Sequence, residues 1–112
     1  MSLNKHQIFA AKDLKESFVE VPEWGGKVKL KALSMQEQLD YDTFLSNKPN
    51  EIDAALRLVI LACVDDSDNK LFNEEDLKEL KKKDSVNLLK VVEAILELNN
   101  MKAKSVDNLA KN

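Results

Sequence analysis

Residues 18–33 read FVEVPEWGGKVKLKAL, and this stretch decides how the rest of the sequence is interpreted. Apolar residues alternate with other residues on both sides of a segment that contains a proline and both glycines of the chain. Strict alternation around a Pro/Gly turn predicts a half-buried β-hairpin, with strands at about 18–21 and 28–32. Because a lone hairpin is barely stable in water, it is expected to pack against other elements.

Start and stop signals predict four helices after the hairpin and a short one before it. Ser34 and Glu37 form a Ser-x-x-Glu capping box, Asn50 is a further N-cap, and Asp84 or Ser85 caps the last helix. The predicted helical ranges are 8–16, 34–46, 51–64, 73–82 and 85–99. The predicted fold class is therefore α+β, mostly α, with an N-terminal β-hairpin packed on a bundle of about four helices.

The composition is that of a small globular protein. The 112 residues leave room for one core, so we predict a single domain over 1–100 and a flexible, lysine-rich tail over 101–112. A net charge of −3 argues against a nucleic-acid-binding protein, which usually carries a basic excess. The single cysteine excludes an intramolecular disulfide, and no apolar run is long enough to cross a membrane. A cytoplasmic location is expected.

Two predicted helices carry more apolar surface than one packing face can cover. The helix over 51–64 contains LRLVILACV, and the polar residues of 85–99 form only a narrow stripe. Either both helices pack centrally, or their remaining surface meets another chain; we favour self-association or a protein partner. The expected contact residues lie on the hairpin and the last helix: Trp24, Val28, Leu30, Val91, Ile95 and Leu98.

Trp24 has two interpretations, because it lies in the turn of the hairpin. Its indole can fold back and fix the hairpin to the helices, or it can point outward as an interface anchor, a role in which tryptophan is enriched. We favour the first. The run Lys81–Lys83 is interpreted as a solvated helix end rather than a phosphate-binding patch.

The sequence offers no set of catalytic or cofactor-binding residues. Its one cysteine, Cys63, lies in the most apolar helix and is expected to be a small buried hydrophobe. His6 and Cys63 are the only histidine and cysteine, which are too few for a structural zinc site. Both glycines lie in the hairpin turn, not in a phosphate-binding loop. We therefore expect a protein with no enzymatic activity, no cofactor and no metal.

One acidic segment is similar to a calcium-binding loop. In DDSDNKLFNEED, residues 65–76, oxygen-bearing side chains fall at loop positions one, three, five, nine and twelve. Lys70 stands at the sixth position, where the loop needs glycine, and Asp76 replaces the usual glutamate at the twelfth. The preferred interpretation is an Asp/Asn turn followed by a helix cap, and a degenerate EF-hand-like calcium-binding protein is an alternative.

The order and spacing of these pieces resemble the tail assembly chaperones of long-tailed bacteriophages and prophages. One departure is that Asn69 and Lys70 stand where the family pattern has glycine before a Leu-Phe pair. The resemblance covers residues 18–99 and rests on Val21-Pro22-Glu23-Trp24-Gly25-Gly26, Val28 to Leu33, the helix start at Ser34, Cys63-Val64-Asp65, Leu71-Phe72, Asp76 and Leu80.

This resemblance implies a non-enzymatic protein that binds the tape measure protein in the bacterial host cytoplasm and is absent from the mature virion. Many copies would serve one tape measure chain, which favours a homo-oligomer or serial binding. In related phages a frameshifted extension engages the tail tube protein, and here it would attach after Leu109 to Asn112. A generic small helical adaptor or regulatory protein-binding module is the alternative, and the position of the gene among tail genes distinguishes the two.

Overall fold

In the computed structural model, which describes residues 1–101, an antiparallel sheet is combined with five α-helices. The strands are β1 (Glu16–Val21), β2 (Gly26–Lys31) and β3 (Cys63–Val64), in the order β1-β2-β3. The α-helices are α1 (Lys5–Ala10), α2 (Met35–Ser46), α3 (Glu51–Ala62), α4 (Leu77–Leu80) and α5 (Ser85–Leu98), and 3₁₀ turns cover Pro22–Trp24 and Glu74–Asp76. The predicted α+β class with its N-terminal hairpin is confirmed.

The hairpin has the pairing that the alternation predicts. Val19 lies opposite Val28, and Ser17 lies opposite Leu30. Alternate side chains of β1 therefore face the core, where Val19 and Val21 are buried. Gly25 has a φ of 88°, a left-handed conformation that glycine adopts without steric cost, and it closes the turn that follows Pro22–Trp24.

The predicted helix starts are confirmed by their caps. The Ser34 hydroxyl accepts the Glu37 N–H at 3.2 Å, and the Glu37 carboxylate accepts the Ser34 N–H at 3.0 Å. The Asn50 side chain accepts a hydrogen bond from the first turn of α3, and the Asp84 carboxylate accepts the Asn87 N–H at 3.0 Å. Each cap satisfies backbone donors that a helix leaves unpaired at its N-terminus.

Three of the predicted helical ranges are wrong at their ends, because either a neighbouring cap or pairing with a distant strand sets the observed end. The helix predicted to 64 ends at Ala62, because Cys63 and Val64 leave it to pair with the free edge of β2. The helix predicted over 8–16 lies at Lys5–Ala10, where Asn4 forms a capping box with the third helical residue. The helix predicted over 73–82 is a 3₁₀ turn followed by the single α-helical turn α4.

Helix α5 lies at the centre of the core. It contacts α3, β1 and β2, and its Val91, Val92 and Ile95 side chains are at most 2% exposed. Helix α3 buries most of its apolar residues as well. The apolar surface of α3 and α5 was expected either to pack centrally or to meet another chain. Central packing accounts for most of it, and Ile52 and Val86 are the large apolar side chains of these helices that stay exposed.

Two further predictions concern the C-terminal tail and the lack of a membrane-spanning segment. The tail predicted over 101–112 lies, from residue 102 onward, outside the described residues. Among the described helices, none combines the length and the apolar character needed to span a bilayer.

The acidic segment 65–76 is a turn followed by a helix cap, as preferred. The Asp65 carboxylate accepts the N–H groups of Ser67 and Asn69 at 2.8 and 3.0 Å. Asp76 accepts the Asn73 N–H at 2.9 Å, which caps the start of the following 3₁₀ turn. Within residues 1–101, His, Cys, Asp and Glu side chains form no group of three or more that could hold a metal ion. Three of the five side chains that the calcium interpretation needs, those of Asp65, Asn73 and Asp76, thus accept backbone N–H groups.

Ion pairs hold this acidic turn against the sheet. The Asp68 carboxylate lies 2.8 Å from Lys29 Nζ and 3.2 Å from Lys31 Nζ, both on β2. Hydrogen bonds from these two lysines lower the pKa of Asp68 to about 2. Lys70, at the other end of the turn, donates to the Leu61 carbonyl and pairs with Glu37 of α2. The turn therefore connects β2, α2 and α3.

Because α5 lies at the centre of the core, truncating a buried and an exposed side chain of this helix should lower the free energy of unfolding by very different amounts. Ile95→Ala removes a fully buried side chain and should lower the free energy of unfolding by about 2–5 kcal/mol. Val86→Ala, at a position 71% exposed, should change it by less than about 0.5 kcal/mol. Urea unfolding followed by circular dichroism measures both, and equal effects would contradict the described packing.

The lowered pKa of Asp68 predicts that the stabilisation it provides is pH-dependent. Because the pKa is lower in the folded than in the unfolded chain, this stabilisation is present above about pH 4 and is lost as the pH falls toward 2. Asp68→Asn keeps the side-chain shape and tolerates the φ of 66°. The urea midpoints of wild type and Asp68→Asn should differ above pH 4 and converge near pH 2. A constant difference across this range would contradict the ion-pair assignment.

Candidate functional site

An apolar groove lies between the N-terminal halves of α3 and α5. Its volume is about 500 Å³, and the small side chain of Ala55 contributes to the space between larger neighbours. Ile52 is 54% exposed and lines the groove, so an occupant can reach it. The lining residues of this α3/α5 groove are Asn50, Ile52, Asp53, Ala55, Leu56, Lys81, Lys83, Ser85, Leu88, Leu89 and Val92.

Charged residues of both signs border the α3/α5 groove, with lysines in excess. Lys81 Nζ lies 2.9 Å from Asp53 Oδ1, and this ion pair joins the end of α4 to the first turn of α3. Lys83 lines the groove as a second cation. An apolar groove with cations at its edge fits an amphipathic segment that carries acidic residues beside its apolar face.

A second and smaller groove begins at Trp24. It encloses about 300 Å³ and is lined by Trp24, Phe72, Asp76, Glu79, Leu80 and Lys83. The Trp24 side chain is half-buried and packs on the core, as favoured, and the remainder of its surface lines this Trp24 groove. Lys83 lines both grooves, so the two are neighbours. Asp76 and Glu79 give the Trp24 groove an acidic border.

The structure separates the six predicted contact residues into two groups. Leu30, Val91 and Ile95 are at most 1% exposed, so they form the core and present no surface to a partner. The other three, Trp24, Val28 and Leu98, are half-buried.

The half-buried residues do not form one continuous surface. The Asn99 side chain accepts the Leu33 N–H at 2.8 Å, which places the C-terminal end of α5 beside the end of β2. Trp24 lies at the opposite end of the hairpin, in the turn before β2. Leu98 and Trp24 are therefore far apart along the sheet, and of the six predicted contact residues Trp24 alone lines either of these two grooves.

Sequence reasoning missed the residues of the α3/α5 groove. Ile52 and Leu89 belong to helices that are apolar on nearly every face, so periodicity does not distinguish the covered side from the open one. One usable signal is the pair Ala54-Ala55 near the start of α3. Small side chains at a helix crossing leave space that larger ones would fill.

Cys63 is a structural residue, as expected. Its side chain is buried on β3, and burial raises the pKa of the thiol to about 12. The reactive form of cysteine is the thiolate, so a thiol with this pKa stays protonated and unreactive at neutral pH.

The fold is shared with a bacteriophage protein of known structure. It is similar to the tail assembly chaperone of bacteriophage HK97, with a TM-score of 0.60 and 24% sequence identity. The similarity covers 87% of this chain and 94% of the chaperone chain. No protein-family model and no curated protein sequence matches this chain. The predicted resemblance to tail assembly chaperones is thus confirmed at the level of the fold.

Proposed function

We propose that this protein is a tail assembly chaperone of a long-tailed bacteriophage or prophage, and that it binds the tape measure protein during tail morphogenesis. The observation that carries this proposal is the similarity of fold to the HK97 tail assembly chaperone over 87% of the chain. The protein acts by binding, without catalysis, in the cytoplasm of the bacterial host, and it is absent from the mature virion.

The α3/α5 groove provides a physical means for this function. A tape measure protein is a long chain whose amphipathic helices are exposed before the tail tube encloses them. A groove of about 500 Å³ with an apolar lining can cover the apolar side chains of one such helix. Because each groove seats only a few side chains, each contact is weak and reversible, and several copies act along one tape measure chain.

The lysines at the groove select the kind of segment that binds. Because Asp53 pairs with Lys81, Lys83 supplies the net positive charge at the groove, and it favours segments with acidic residues next to the apolar face. Salt at concentrations above the physiological range weakens this steering but leaves the apolar contact in place. Trp24, Val28 and Leu98 offer secondary contacts, and a frameshifted extension beyond the C-terminal segment would engage the tail tube protein.

Two matched substitutions test the proposed groove. Ile52 and Val86 are each the second residue of a helix, and both are apolar and more than half exposed, but only Ile52 lines the groove. Aspartate is compatible with the first turn of a helix at both positions. Ile52→Asp should weaken binding to the tape measure protein of the same phage at least tenfold, which corresponds to about 1.4 kcal/mol. Val86→Asp should bind like wild type.

Co-expression with the tape measure protein provides the measurement. The wild-type chain should keep the tape measure protein soluble and co-purify with it, and Ile52→Asp should lose both properties. If the tape measure protein is equally insoluble with and without the wild-type chain, the chaperone function is wrong. If both aspartate variants bind like wild type, the chaperone function stands and the assignment of the groove is wrong.

A further inference from the structure

The N-terminal arm, residues 4–15, is exposed along its whole length although it carries large apolar side chains. Helix α1 contains no buried residue, and Phe9, its next-to-last residue, is 79% exposed. Ile8 and Leu14 are exposed as well. The arm therefore carries apolar surface that the rest of the described chain does not cover.

The helix in this arm is too short to be stable by itself. It has six residues, whereas isolated helices shorter than about 12–15 residues are marginal in water. The Asn4 capping box satisfies its first donors but adds only about 1 kcal/mol. Packing of its apolar face is the usual source of stability for such a helix, which indicates that the arm has a docking surface.

The charge of the arm differs in sign from that of the body. The arm carries three lysines and one aspartate, a net charge of +2. Residues 16–101 carry eleven basic and eighteen acidic side chains, a net charge of −7. A second copy of this chain is therefore an electrostatically attractive partner for the arm.

The Trp24 groove suits the arm in apolar character and in the sign of its charge. Its apolar lining includes Trp24 and Phe72, and its charged lining residues, Asp76, Glu79 and Lys83, leave a net charge of −1. Glu79 also pairs with Lys82 at 3.1 Å, with both side chains more than two thirds exposed. On α1, Lys5 precedes Ile8 and Phe9 by three and four residues, so the cation lies on the same helix face as the apolar pair. The charged residues that line the α3/α5 groove, Asp53, Lys81 and Lys83, leave a net charge of +1, so that groove is the less favourable surface for a basic arm.

We propose that the N-terminal arm of one copy docks in the Trp24 groove of a second copy, with Ile8 and Phe9 on the apolar lining and Lys5 near Glu79. The arm begins at the end of β1 that is opposite to the hairpin turn, because the Lys15 carbonyl accepts the Ala32 N–H beyond the end of β2. Six strand residues span about 20 Å, so the arm would reach its own groove only with its linker fully extended along β1. Docking in a second copy removes this requirement on the linker.

The protein contains one tryptophan, so its fluorescence reports directly on the Trp24 groove. Sedimentation velocity of the wild-type chain should show association as concentration rises, accompanied by a blue shift of the Trp24 emission as the indole is covered. Phe9→Asp should raise the dissociation constant at least tenfold and abolish the shift. Met35→Asp, at an apolar position 86% exposed outside the arm and both grooves, should have no effect. Because α1 contains no buried residue, the thermal unfolding of dilute Phe9→Asp should equal that of dilute wild type.

A charge exchange tests the pairing of the two surfaces. Lys5→Glu and Glu79→Lys should each weaken association, and the double variant should recover most of it. A wild-type chain that stays monomeric at all concentrations would overturn this proposal, and so would association that Phe9→Asp leaves unchanged. A monomer whose Trp24 emission responds to Phe9→Asp would overturn it in favour of docking within one chain. This proposal does not rest on the proposed function, because the arm variants leave the α3/α5 groove intact.

Discussion

Burial of α5 between the sheet and α3 is the constraint on which the rest of the structure depends. The sheet consists of a hairpin and the two-residue strand β3, which by themselves would be marginal in water. Helix α5, which contributes Val91 and Ile95 to the core, contacts β1 and β2 of this sheet and also α3. Within the described residues, one chain therefore forms a continuous core, and apolar surface outside it includes the two grooves and the arm.

The sequence predicted those elements whose formation depends on residues close together in the chain. The hairpin followed from alternation, and the starts of α2, α3 and α5 followed from Ser34, Asn50 and Asp84, whose side chains bond within their own first turns. Strand β3 did not follow, because Cys63 and Val64 read as a continuation of an apolar helix. Their pairing with β2 depends on residues more than thirty positions away, and no local pattern contains that information.

The candidate site was harder to predict than the fold for a related reason. Helices α3 and α5 are apolar on most faces, so the sequence shows that surface must be covered but not which side remains open. Val91 and Ile95 were expected at a contact surface and lie in the core, whereas Ile52 and Leu89 line the open groove. Only the tertiary packing of the two helices distinguishes these positions.

The two grooves have different borders and are assigned different tasks. Lysines border the α3/α5 groove, whereas Asp76 and Glu79 border the Trp24 groove, and Lys83 lies between them. Opposite charge at neighbouring surfaces reduces the chance that one ligand occupies both, because a segment attracted to one is repelled by the other. The proposed function and the proposed docking of the arm are therefore compatible, because they use different surfaces.

The central claim is that the α3/α5 groove receives the client segment, and methyl NMR of the co-purified complex tests it most directly. With isoleucine, leucine and valine methyl groups labelled in this chain alone, complex formation should shift the resonances of Ile52, Leu88 and Leu89, which line the groove. The resonances of the core residues Leu30 and Ile95 should stay in place. Unchanged groove resonances in a complex whose other methyl groups shift would contradict the account.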